Sequence, residues 1–364
     1  MDEARGAPVD RLRDRGERQG DGPLFAALDL GTNNCRLLIA APTPYGFRIV
    51  DSFSRIVRLG EGLTETGRLS QAAMDRAIGA LKVCADKIAR HGAGRVRAVA
   101  TEACRSAANG RQFAAEAAAR TGLQLAIISP REEAQLAVAG CLNLLDRKAK
   151  AALVLDVGGG STELCWVDLT STGLDVEPRN LAHWRLPIKA WLSVPIGVVS
   201  LAERFPDGAR TPDGYRAMVE TMKAPVAAFG QANGFREIFN AGDAHMVGTS
   251  GAITSLAGLH LDLPRYQRSL VDGLWMTRND CDAVTRRLTA MSHAERAALG
   301  CIGPDRADLV LAGAAILQAV QEVWPCERVR VADRGLREGL LLSQMSNERR
   351  RARRRRGSRS PGHR

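Results

Sequence analysis

At 364 residues the chain is longer than one typical domain and has room for two, each with its own core. An apolar fraction of 45% and a charged fraction of 25% match a globular protein, and no apolar run approaches the roughly 18–20 residues of a membrane span. The net charge of +11 is localised: positions 348–364 hold nine Arg and one Glu, positions 1–23 hold five Arg and six acids, and the body between is only mildly basic.

The first 23 residues are charged and Gly-containing with no apolar h-region, which predicts a disordered segment and not a secretory signal. The strands and helices begin at about residue 24. Strands are predicted at 25–29, 36–40 and 47–57, with turn chemistry between them. A helix follows from about 71, where Ala73, Met74, Ala77, Ile78, Leu81, Cys84 and Ile88 recur at helical spacing. A strand at 95–101, a helix at 109–121 and a strand at 125–129 complete this half. The second half repeats the order less cleanly. Its strands are predicted at 151–157, 163–168 and near 183–186, followed by helices at 201–205 and 214–232. A strand at 239–248, a helix from 249, a helix at 308–323, a strand at 329–332 and a helix at 337–346 close it. Alternating strands and helices with short connections predict an α/β protein.

The last segment, 347–364, is expected to be a disordered Arg-rich tail. Its composition suits polyanions such as polyphosphate, RNA or a membrane surface. No aromatics interleave with the arginines, so base stacking is unsupported, and a solvated tail without a dedicated partner fits the same composition. The eight cysteines show no C-x-x-C spacing and no clustered zinc ligands; they read as reduced core residues of a cytoplasmic protein.

Chemistry concentrates in a few turns. Asp156-Val157-Gly158-Gly159-Gly160-Ser161-Thr162-Glu163 lies between two apolar runs. Three glycines at a strand-to-strand turn let backbone N–H groups close on a phosphate oxygen. The flanking acids, Asp156 and Glu163, suit a hard cation bridging to that phosphate, or proton transfer. The unit has a counterpart in Asp29-Leu30-Gly31-Thr32-Asn33-Asn34, again strand, Asp-x-Gly, turn, strand. Two copies predict a duplicated domain with a phosphate loop in each half. A third glycine element, Gly248-Thr249-Ser250-Gly251, opens an apolar helix and offers free N–H groups.

Ser129-Pro130-Arg131-Glu132-Glu133 has the spacing of a capping box, with Pro at the first helical position. Glu132 is therefore expected to reach back to the Ser129 N–H. Glu133, about 100° further round the helix, is free to face a cleft as a general base. Arg105 sits at a strand-to-helix connection, where a guanidinium can take two phosphate oxygens. The six histidines pair with no acid or nucleophile at a recognisable spacing, and no G-x-S-x-G elbow or G-x-x-x-x-G-K-[ST] loop occurs.

Together, ALDLGTNNCRLLIA (27–40), AVATEACRSAANG (98–110), IISPREEAQLAVAG (127–140), LVLDVGGGSTELCWV (153–167), VGTSGAITSLAGL (247–259) and GLREGLLLS (335–343) resemble the exopolyphosphatase / guanosine pentaphosphate phosphohydrolase family. That family lies within the actin-like ATPase superfamily. The resemblance implies two ribonuclease-H-like domains facing a cleft: 24–128, completed by a C-terminal helix at about 333–346, and 129–332. It implies a hydrolase that releases terminal phosphate from polyphosphate or guanosine pentaphosphate, as monomer or homodimer. Carried over by position, the catalytic glutamate is Glu133, the metal-side carboxylates are Asp156 and Glu163, and the implied cofactor is Mg²⁺ or another divalent cation; Asp29, before the first turn, is a further candidate for the metal. The phosphate contacts are Arg105, Gly31, Thr32 and Asn33, then Gly158, Gly159, Gly160, Ser161 and Thr162, and last Gly248, Thr249 and Ser250. The chain departs from the family in having Pro130 where Gly is usual, and in stopping near 346 without the helical domains of long members. A kinase of the same superfamily and a non-hydrolysing alarmone or nucleotide sensor with a nucleic-acid-docking tail are the alternatives.

Overall fold

In a computed structural model the described residues are 23–44, 46–170, 186–206 and 211–357. The expected N-terminal disorder therefore lies outside the described residues.

The first half opens with an antiparallel meander, β1 (Phe25–Leu30), β2 (Asn34–Thr43) and β3 (Gly46–Ile56). The short helix α1 (Leu63–Thr66) and the long α2 (Gln71–Arg90) follow. Ser70 caps α2 by accepting the Ala73 N–H at 3.2 Å, and its apolar stripe, including Ala77, Ile78, Leu81 and Cys84, is buried on the sheet. Next come β4 (Arg95–Ala100), α3 (Glu102–Ser106), α4 (Gly110–Thr121) and β5 (Leu125–Ile127). The sheet order is β3-β2-β1-β4-β5, with β4 and β5 parallel to β1.

After α5 (Pro130–Cys141) the second half repeats the plan. It has β6 (Ala151–Val157), β7 (Thr162–Asp168) and β8 (Ile188–Val194) as a meander, then α6 (Val198–Arg204), α7 (Pro212–Asn233) and α8 (Arg236–Asn240). The strand β9 (Ala244–Thr249) precedes α9 (Gly251–His260), α10 (Arg268–Val271), β10 (Trp275–Thr277), α11 (Arg278–Ala290) and α12 (His293–Ala298). The chain then forms α13 (Leu309–Val323), β11 (Arg328–Ala332) and α14 (Leu336–Gly357). The order β10-β11-β9-β6-β7-β8 is that of the first sheet with β10 added antiparallel at the edge. Both sheets thus have the ribonuclease-H-like order, and the α/β duplication read from the two Asp-x-Gly turns is present.

Three expectations need correction. The strand expected near 183–186 is β8, Ile188–Val194; positions 183–185 lie outside the described residues. The run at 239–248 is not one strand, because the helix α8 ends at Asn240 and the turn at Gly242 (φ 71°) separates it from β9. The boundary expected at 347 falls inside a helix, since α14 continues to Gly357. Alanine and arginine are strong helix formers, and with no Gly or Pro from Leu340 to Arg356 nothing in the sequence stops the helix earlier.

Helices α5 and α14 pack against each other between the sheets. Leu136 joins Leu336, Leu340, Leu341 and Met345 against Phe25, Ala27 and Leu38 of the first sheet. On its other side α5 sets Ala134 and Val138 against Ala152, Val154 and Cys165 of the second. The helices approach so closely that a Cβ on Gly339 would lie 2.0 Å from the Leu136 carbonyl oxygen.

Candidate active site

The two Asp-x-Gly turns have the same internal geometry. The Gly31 N–H donates to Asn34 O and the Gly158 N–H to Ser161 O, each at 2.9 Å. They also approach closely: a Cβ on Gly159 would sit 3.0 Å from Thr32 Cβ and 3.1 Å from Asn33 N, a tight contact that glycine avoids. Gly31, Thr32 and Asn33 face the cleft across from Gly158, Gly159, Gly160 and Ser161. Thr249 and Ser250 close a third side. Ser250 adopts φ 122°, a conformation non-glycine residues rarely take, while its Oγ accepts from the Ala252 and Ile253 N–H groups of α9 at 3.2 and 3.5 Å. Gly248 and Thr162 stand behind this surface. Gly248 packs against Ile253, and the Thr162 hydroxyl donates to Ile196 O at 2.7 Å.

At the head of α5, Ser129 Oγ accepts the Glu132 N–H at 3.2 Å, as expected of an N-cap. The other half of the capping box does not form, because the Glu132 carboxylate pairs with Arg97 of β4. An ion pair with a neighbouring strand outcompetes the local bond to a backbone N–H. Glu133 points the other way and is 8% exposed at the cleft wall. Its Oε2 accepts from Nη1 and Nη2 of Arg105, both at 3.1 Å, whereas its Oε1 has no hydrogen-bond partner among the described residues. Arg105 itself is behind the wall, held between Glu133 and Glu102.

Asp156 and Glu163 are cross-strand partners on β6 and β7. Glu163 is 2% exposed and its Oε1 accepts from Ser193 Oγ at 2.8 Å; Asp156 reaches the cavity. Burial, then the Glu163 and Asp29 charges, push the Asp156 carboxyl up to about 8. Burial also raises Glu163, to about 7, against hydrogen bonds from Ser193 and Ser161 that lower it. Glu133 is raised well above the usual carboxylate range by burial and by Glu163, with Arg105 opposing, and by Asp156 and Asp29. Burial raises Asp29 too, opposed by Arg36 and Arg337.

Those two arginines were missed by sequence reasoning. Arg36 is the cross-strand partner of Asp29, and Arg337 is in the first turn of α14. Both line the cleft, and neither makes a hydrogen bond or ion pair among the described residues. The signal for Arg36 was its strand parity with Asp29; Arg337 was legible only as a residue of the GLREGL segment.

A divalent cation fits the donor set without being fully caged by it. Among the described residues no three His, Cys, Asp or Glu side chains cluster tightly enough to hold a metal alone. Mg²⁺ instead takes one or two carboxylates and completes its shell with water and phosphate oxygens. Asp156 and Asp29 supply hard oxygens on the cavity surface, with Glu163 behind Asp156. Two buried oxygens at the first turn, Asn33 Oδ1 and Asn34 Oδ1, have no donor among the described residues, as expected where a cation or its water belongs.

The model of the Ppx/GppA phosphatase family matches residues 38–348. The chain belongs to this family. Family relatives include exopolyphosphatase 2 of Mycobacterium tuberculosis, 30% identical over 87% of this chain and 97% of that protein. The guanosine-5'-triphosphate,3'-diphosphate pyrophosphatase of Aeromonas salmonicida is 28% identical over 90% of this chain but only 60% of its own length. The crystal structure of the Aquifex aeolicus family member superposes with a TM-score of 0.71 at 27% identity, covering 90% of this chain and 98% of that one. The family match begins within β2, so the first turn, Gly31 to Asn34, is assigned to the site by its geometry and not by that match.

Proposed function

We propose that the chain is a phosphoanhydride hydrolase that releases the terminal phosphate of inorganic polyphosphate or guanosine pentaphosphate by attack of water. The observation that carries this reading is Glu133: a buried carboxylate with one oxygen held by Arg105 and the other free, facing a cleft walled by three phosphate-type turns. In this reading Gly31 to Asn33, Gly158 to Ser161, and Thr249 with Ser250 surround the terminal phosphoryl group. Arg36 and Arg337 carry cationic N–H groups to its oxygens. Asp156 and Asp29, supported by Glu163, would hold a divalent cation, which would supply positive charge to offset that on the phosphate oxygens. Glu133 Oε1 orients a water in line with the anhydride and accepts its proton, and the burial that raises its proton affinity strengthens it as a base. The division into two domains at about residue 128, with α14 completing the first, is our reading of the two sheets.

The Arg-rich end of α14 is at the opposite end of the first sheet from the cleft, since Arg349 donates to Thr43 O and Glu348 pairs with Arg95. Its composition supports a role in holding a polyanion outside the site.

The test is phosphate release by the purified protein with a divalent cation, from long-chain polyphosphate, guanosine pentaphosphate and ATP, run in ¹⁸O-labelled water. One label in each released phosphate is expected; transfer to another acceptor without label, or no release from any substrate, rejects the reading.

A further inference from the structure

Glu102 belongs to none of the phosphate turns, yet it lines the cleft and touches the groups that matter most. It opens α3 directly after β4. Its Oε1 accepts from the Ser106 hydroxyl, and its Cγ lies 3.1 Å from where a Cβ on Gly160 would stand, so the side chain is wedged against the triple-glycine turn. Its Oε2 accepts from Arg105 Nε at 3.0 Å and Nη2 at 2.5 Å.

A guanidinium has five N–H groups. Those of Arg105 are all taken by protein acceptors: two by Glu102, one by the Ile128 carbonyl at 2.7 Å, and two by Glu133 Oε2 at 3.1 Å. Arg105 thus has no N–H to spare for a phosphate in this arrangement. The two carboxylates divide the ion between them: Glu102 holds the Nε/Nη2 edge and Glu133 meets the Nη1/Nη2 end.

We propose that Glu102 is a positioning residue for Glu133, acting through Arg105. By fixing the Nε/Nη2 edge it keeps the guanidinium end-on to one Glu133 oxygen and leaves the other free for water. Without Glu102 the guanidinium is free to turn and close bidentately on both Glu133 oxygens, the geometry Arg–carboxylate pairs favour, and the water site is lost. The inference rests on the reading of Glu133 as the base.

Glu102→Ala is expected to lower kcat about tenfold or more with KM within about twofold, since orientation and not binding is lost. Glu102→Gln keeps an acceptor for Arg105 and restores most of kcat. In an Arg105→Ala background Glu102→Ala has no further effect. A raised KM with kcat intact, or a loss that persists undiminished in the Arg105→Ala background, overturns the inference. An activity-independent measurement separates its failure from that of the functional reading. In ¹⁵N-labelled protein the Arg105 Nε–H signal, assigned by its loss in Arg105→Lys, exchanges slowly with solvent in the wild type and about tenfold faster in Glu102→Ala. An unchanged exchange rate overturns the hold on Arg105 even if phosphate is released. Faster exchange sustains that hold even if it is not.

Discussion

Glu132 and Glu133 are adjacent in sequence and part company at the first turn of α5: Glu132 pairs with Arg97 of β4, and Glu133 pairs with Arg105 at the cleft. One carboxylate joins the helix to the sheet beside it; the other is buried where the glycine-rich turns converge. Exchanging one is therefore expected to have a different consequence from exchanging the other.

Glu132→Gln removes a partly exposed ion pair and is expected to cost at most about 1 kcal/mol of stability, with phosphate release close to wild type. Urea unfolding and the release assay on the same preparation check this.

Stability is expected to fall as pH rises in the absence of a divalent cation. A carboxyl whose folded pKa exceeds its unfolded value binds its proton more tightly in the folded state. The stabilisation is full below the unfolded value, about 4, and is lost as pH rises through the folded one. For Asp156 that loss runs up to about pH 8, and for Glu163 up to about 7. Thermal unfolding with chelator is therefore expected at lower temperature at pH 8.5 than at pH 5.5. Asp156→Asn shrinks the difference, and Mg²⁺ raises the midpoint more at the higher pH.

Gly159→Ala tests the contact between the two duplicated turns. The added Cβ meets Thr32 Cβ at 3.0 Å and Asn33 N at 3.1 Å, so the facing turn is pushed back by about a few tenths of an ångström. We expect about 1–3 kcal/mol of destabilisation and a loss of activity of about tenfold or more, because a displaced turn misplaces the phosphoryl group. The melting midpoint and kcat/KM measure the two effects separately.

Arg337→Ala removes a cation that has no ion-pair partner among the described residues. Its burial already lowers its proton affinity, against the nearby Glu338 charge. Losing a charged hydrogen bond to phosphate is expected to lower kcat/KM by about 10- to 100-fold. Steady-state kinetics decide, and Arg36→Ala is expected to act in the same direction.

The duplicated architecture was legible because it is local. Two apolar runs, each followed by Asp-x-Gly, mark the β1–β2 and β6–β7 turns, and a strand followed by glycine and a capping serine marks the start of α9. The long-range pairings were not legible. Glu132 satisfied a capping-box spacing, and only the fold brings Arg97 within its reach. Arg105 looked like a phosphate ligand until the fold surrounded it with Glu102, Glu133 and the Ile128 carbonyl. Arg36 and Arg337, about 300 positions apart, share the cleft only because α14 returns to the first sheet. The helical extent of the Arg-rich end was hidden by its charge, which reads as a solvated tail.

Glu133 is proposed to take the proton of the attacking water. The direct measurement is inorganic phosphate release by Glu133→Gln beside wild type, with substrate affinity measured on the same samples. The amide keeps the shape and the contact to Arg105 but accepts no proton at neutral pH. Release slower by about two orders of magnitude or more, at unchanged affinity, is expected if Glu133 is the base. Turnover near the wild-type rate would contradict it.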